Sequence, residues 1–129
     1  MKILLAVSLA ALCSVIGAPS VFAHHGYAAY DNSKAVTLIG TVTAFEMANP
    51  HSSLLFDVKN EKGEVEHWGV EFGFPRALKD QGWSRDTLKP GDQVSVTLHV
   101  AKNGSHVGAG GKITYADGKP LPLSPPPQQ

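Results

Sequence analysis

The sequence predicts a mainly β protein, a small five-stranded OB-like Greek-key barrel with one short helix between strands three and four. Three observations carry that prediction. Apolar residues recur at every second position over several stretches between Ala35 and Ala116, the period of half-buried strands. Only Phe74–Gln81 carries clear helix-start chemistry, with Pro75 at a first helical position and Gly82 as a stop. The resulting order is strand, strand, strand, helix, strand, strand. An open meander sheet with a lid helix would share that order; a bent first strand and a plug-like helix favour the barrel.

The elements follow in turn. Val36 to Met47 is β-branched and aromatic, and Gly40 inside it predicts a long strand bent at its glycine. Ser53 to Lys59 alternates, with Leu54, Phe56 and Val58 on one face. Glu64 to Phe72 alternates as well, with Trp68, Val70 and Phe72 on one face and His67, Gly69 and Glu71 on the other. Glu61-Lys62-Gly63 between them is a three-residue hairpin loop with Gly in the left-handed position. If Asn60 faces Glu64, then Phe56 faces Trp68 and Leu54 faces Val70, so the apolar faces coincide. A slip of one residue would set Phe56 beside His67 and spoil both faces. After the helix, Lys89-Pro90-Gly91-Asp92 is a tight turn and Gln93 to Val100 alternates, with Val94, Val96, Leu98 and Val100 inward. A glycine-rich stretch then leads to a last strand, Lys112 to Ala116, closed by Asp117-Gly118.

The two ends are of another character. Residues 1–23 carry Lys2, an apolar run from Ile3 to Ile16 and a Val21-Phe22-Ala23 close, the layout of a secretory signal peptide and too short for a stable membrane anchor. Residues 24–34 read as a polar N-terminal arm, 35–118 as the barrel domain, and 119–129, which holds five of the nine prolines, as a Pro-rich disordered tail. Cleavage after Ala23 would take 23 of the 129 residues and leave 106, enough for one core. Cys13, the single cysteine, would go with them, and with it any disulfide, thiol nucleophile or thiolate ligand. Lys2 would go too, so ten of the eleven basic residues would face eleven acidic ones. That near-neutral charge argues against a nucleic-acid partner or a polybasic membrane patch. The expected protein is periplasmic or secreted, with a metal ion, a small ligand or a periplasmic protein as partner and no membrane anchor after processing.

His24-His25-Gly26, Val36-Thr37-Leu38, Gly40-Thr41-Val42 and Asn49-Pro50-His51 form one set of motifs. Trp68, Glu71, Gly82-Trp83 and Asp86-Thr87-Leu88-Lys89-Pro90-Gly91-Asp92 form another. Together they resemble a family of small secreted bacterial proteins whose domain is of unknown function. The resemblance covers nearly the whole mature chain and implies no biochemistry. Most relatives of this type carry Ser where Gly26 stands and a polar residue other than His in place of His106.

All six histidines lie beyond the expected cleavage site. A chain beginning at His24 offers an α-amine and an imidazole from one residue, a chelate that suits Cu(II) first among divalent ions, with Zn and Ni behind. His25 adds a second imidazole. His51 shares a face with Ser53, and with Ser53 opposite Glu71 it lies diagonal to Glu71, about 7–8 Å away between backbones. The expected metal site is therefore His24, His25, His51 and Glu71, with copper as the cofactor. A solvated terminus, a turn histidine and a solvated strand carboxylate are the plainer readings of the same residues. Asp57 opposite His67 reads as a surface charge pair; His99 and His106 read as solvated.

Other chemistry finds no support. Gly108 to Thr114 looks like a phosphate loop, but Ile113 stands at its Ser/Thr position and His106 at its first glycine. Gly-x-Ser-x-Gly and His-Glu-x-x-His are absent. Trp68 shares parity with Val70 and Phe72 and reads as core, and Trp83 as a cap on the barrel bottom. The expectation is a metal-binding protein, with a metal-free OB-like module for a small ligand or protein as the alternative. A copper-dependent oxidative enzyme rests on the His24 chelate alone.

Overall fold

The computed structural model describes residues 27–123. The described elements are a short 3-10 turn (Tyr27–Ala29), β1 (Val36–Glu46), β2 (Ser52–Lys59), β3 (Val65–Phe72), α1 (Pro75–Asp80), β4 (Gln93–Val100) and β5 (Val107–Tyr115). The strands close into a barrel in the order β1-β2-β3-β5-β4, with β1 hydrogen-bonded to both β2 and β4. All neighbours are antiparallel except β3 and β5, which pair in parallel over Gly69–Glu71 and Val107–Ala109. Five strands in this order, with the helix between the third and fourth, are the predicted OB-like barrel. Among the described residues no helix is long and apolar enough to cross a membrane.

β1 serves two partner strands, and Gly40 lies where it passes from one to the other. Val36–Thr41 pairs with β4 and Thr41–Glu46 pairs with β2, so the strand changes partners within one turn of the barrel wall. A Cβ at Gly40 would press on the Asp57 carbonyl oxygen and the Phe56 ring, and glycine alone permits that approach. The β2–β3 hairpin has the predicted register: Phe56 opposite Trp68, Leu54 opposite Val70, Ser53 opposite Glu71 and Asp57 opposite His67. Its loop holds Gly63 at φ 79°, and the Asn60 side-chain oxygen accepts from the backbone N–H of Lys62 and Glu64, which locks the turn.

The inward residues of all strands form one core. Val42, Leu54, Phe56, Val70, Val94, Val96 and Leu98 are each no more than 1% exposed. Burying a side chain of this size contributes roughly 1.5–3 kcal/mol. Helix α1 sets Leu78 into the fold and ends in a glycine cap, with Gly82 N–H donating to the Lys79 carbonyl and Trp83 N–H to the Leu78 carbonyl. That cap aims Trp83 at Phe45 and Phe72, whose ring centroids lie 5.8 and 5.5 Å away.

Three features differ from the sequence expectation. β5 begins at Val107 instead of Lys112, because the glycines read as a loop are the residues that pack tightly on β4. The arm does not run free: Tyr30, 7% exposed, bridges Ala101, and Asp31 N–H donates to the Val100 carbonyl. Leu121, within the stretch read as tail, is buried against the core.

Candidate functional site

The outer face of β2 and β3 collects the predicted polar residues by strand parity. Ser53 stands opposite Glu71, and His51, two residues before Ser53, falls on the same side. The His51 Nδ1 and Glu71 Oε2 atoms are 3.9 Å apart, with side chains 41% and 47% exposed. This is an ion-pair separation and not a hydrogen bond. The Phe74 ring, centroid 5.1 Å away, backs the imidazole from the side of α1. Two donors on one tetrahedral metal sit about 3.4 Å apart when each bond is about 2.0–2.1 Å, so a small rotation of either side chain brings the pair to that spacing.

The arm is anchored at the end of β4, through Tyr30 at Ala101 and Asp31 at Val100. Burial, and behind it the negative charge of Glu71, pushes the Tyr30 phenol above its ordinary value. His99 Nδ1, 3.2 Å from the Asp31 carbonyl oxygen and 3.0 Å from that of Lys34, donates to the arm's backbone and is not the solvated residue expected. His24 and His25, the other two predicted ligands, lie outside the described residues. Among the described residues no group of three or more His, Cys, Asp and Glu side chains gathers to hold a metal. The structure thus brings together His51 and Glu71.

His67 pairs with Asp57 at 2.6 Å, as the register required. Beside it an apolar shelf crosses the face, where Leu55 and Val107 flank the bare backbone of Gly69 and are 49% and 37% exposed.

A second cluster was not foreseen. His106, on the β4–β5 loop, stacks on Trp68 with centroids 4.7 Å apart and planes 15° from parallel. Its Nε2 lies 3.8 Å from Glu66 Oε2, which accepts the Trp68 indole N–H at 3.1 Å. The Asn60 amide donates to the other Glu66 oxygen at 3.2 Å. The indole bond and then the Asn60 bond hold the Glu66 carboxyl below the usual carboxylate range; burial opposes them, and the facing His106 adds a lowering effect smaller than that of burial. A carboxylate depressed by the fold contributes stability above its unfolded pKa and loses it as pH falls through the folded one. In a Trp83→Phe, His106→Ala background, where Trp68 is the sole tryptophan and no imidazole lies on its ring, its fluorescence should hold steady through mild acid and change only below the ordinary carboxylate range. A transition beginning above that range would mean the clamp does not form.

The strand order, the parallel β3–β5 closure and the helix after β3 define an OB-fold barrel carrying a histidine–carboxylate pair on its outer face. The chain belongs to the family of unknown function DUF6152, whose model matches residues 11–111. No curated protein sequence matches the chain. Among solved structures it is similar to the mitochondrial single-stranded DNA-binding protein Rim1 of S. cerevisiae, at 11% identity and a TM-score of 0.45, covering 64% of this chain and 94% of that one.

The expectation of no nucleic-acid partner is withdrawn: a solved structure similar to this chain is named a single-stranded DNA-binding protein, and a near-neutral whole-chain charge does not exclude such a partner. Whole-chain charge is a sum, and a sum near zero does not describe any one face. At this identity the likeness is one of fold and assigns this chain no partner.

Proposed function

We propose that this is an exported protein that binds a divalent metal ion, copper foremost, through His51 and Glu71 on the β2–β3 face and His24 and His25 from the arm. The observation that carries the reading is the approach of His51 Nδ1 to Glu71 Oε2 on an exposed face. The anchoring of the arm at Tyr30 supports it. Five steps of chain lead from Tyr30 to His25, three of them through the 3-10 turn, so the reach is at most about 13 Å, comparable to the width of two or three strands. Cleavage after Ala23 frees the His24 amine, so the ligand set would be nitrogen-rich with one carboxylate, the set that favours Cu(II).

The test is a Cu(II) titration of protein whose amino terminus has been sequenced. One equivalent should bind, and His51→Ala should weaken it about tenfold or more, roughly 1.4 kcal/mol. A residue added before His24 should weaken it further by acylating the α-amine. Micromolar or weaker binding, unchanged in His51→Ala, would remove the shared site.

The Leu55–Val107 shelf favours a second reading, a metal-free, non-enzymatic module that takes a small ligand or protein on the same face. Capture of a partner that persists in chelator would support this reading over the first.

A further inference from the structure

We propose that Trp68 and Glu66 form a slot for a planar organic cation, a guanidinium group of the kind an arginine side chain carries, and that the His106 ring occupies this slot in the free protein. The slot lies at the barrel end where the β2–β3 hairpin meets the β4–β5 loop. Glu66 is five residues before Glu71 on β3 and of opposite parity, so the slot shares no residue with the His51–Glu71 pair.

The chemistry of the walls selects the ligand. One wall is an indole face, whose π electrons attract a cation lying over the ring. The other is a carboxylate fixed by two donors, the Trp68 indole and the Asn60 amide. The same Asn60 nitrogen donates to Glu64 at 3.0 Å, so two carboxylates share one neutral amide. Among the described residues no Lys or Arg comes within ion-pair distance of Glu64 or Glu66; only His106 approaches, at 3.8 Å from Glu66. The negative charge there lacks a full cationic partner. A flat group that is positive, stacks on an aromatic face and presents N–H donors along its edge satisfies both walls, and guanidinium is that group.

The imidazole is an incomplete occupant. It is flat and turns a ring nitrogen toward Glu66, yet 3.8 Å is too long for a hydrogen bond. Its side chain is 46% exposed. The backbone around it is secured independently, with Gly69 N–H donating to the His106 carbonyl and Ala101 N–H to the Val107 carbonyl. Rotation of the side chain therefore opens the indole face with the β3–β5 closure intact.

The test uses the purified full chain in a Trp83→Phe background, so that Trp68 alone reports, with N-acetyl-argininamide as the probe and N-acetyl-lysinamide as its comparison. A saturable change in Trp68 emission is expected with the arginine probe. His106→Ala should strengthen it about tenfold by removing the competing ring, and Glu66→Gln should abolish it. The lysine probe should bind more weakly in every case. Far-UV circular dichroism confirms the fold of each variant, and the exposure of His106 keeps its substitution clear of the core. No saturable response in the Trp83→Phe protein, a response unchanged by Glu66→Gln, or equal responses to the two probes would each overturn the proposal.

Discussion

Phe56→Ala is expected to destabilise the protein by about 3–5 kcal/mol, the range for truncating a buried aromatic side chain. Phe56 is fully buried at the middle of β2, opposite Val42 on β1 and Trp68 on β3. Its ring also lies against Gly40, where β1 passes from β4 to β2. Its removal would open a cavity whose lining belongs to three strands, and strands closed into a barrel cannot collapse on it without changing register. Domains of this size are stable by only about 5–15 kcal/mol, so roughly a fifth or more of the total is at stake. Urea unfolding should show a lower midpoint at an unchanged slope. A loss below about 1 kcal/mol would mean that the ring is not central to the core.

Gly111→Ala is the second large effect, and it acts through the backbone. Between the pairs Thr97–Lys112 and His99–Ala109, Leu98 alone on β4 faces both Gly110 and Gly111 on β5, a β-bulge. Gly111 has φ 118°, a conformation that L side chains rarely adopt. Its added Cβ would overlap the Thr97 carbonyl oxygen, which belongs to the β4 ladder and cannot move aside as a flexible side chain can. Backbone strain and overpacking together should cost about 3 kcal/mol or more. Gly118→Ala is the control, because Gly118 has φ 84° with nothing within 4 Å of its added Cβ. It carries the backbone strain alone, about 1–2 kcal/mol. The two variants should therefore differ clearly in unfolding midpoint; equal losses would show that the bulge yields to the methyl group.

The elements read correctly were those whose signals are local. The hairpin at Gly63, the β2–β3 register and the helix stop at Gly82 each depend on residues near one another in the chain. The His51–Glu71 approach was legible for the same reason: a short loop sets the register, and alternation sets the face. β5 was misread because Gly108 and Gly111 look like loop residues in isolation. Their lack of a side chain is what lets β5 press against Leu98 and Thr97, a contact visible only across the barrel.

The misreading of His99 and the missed stacking of the exposed His106 have a related cause. His99 lies on β4 and bonds to carbonyls 65 and 68 residues earlier in the chain. His106 stacks on a tryptophan that the sequence assigned correctly to the core, but the short parallel pairing of β3 with β5 is what brings its loop there. The sequence by itself determined a mainly β chain, the pairing of β2 with β3 and the face on which His51 meets Glu71, because alternation and turn chemistry act over a few residues. Tertiary structure alone decided the bulge at Gly110-Gly111, the anchoring of the arm at Tyr30 and the covering of Trp68 by His106. Those depend on closure of the barrel, which joins residues that no local pattern connects.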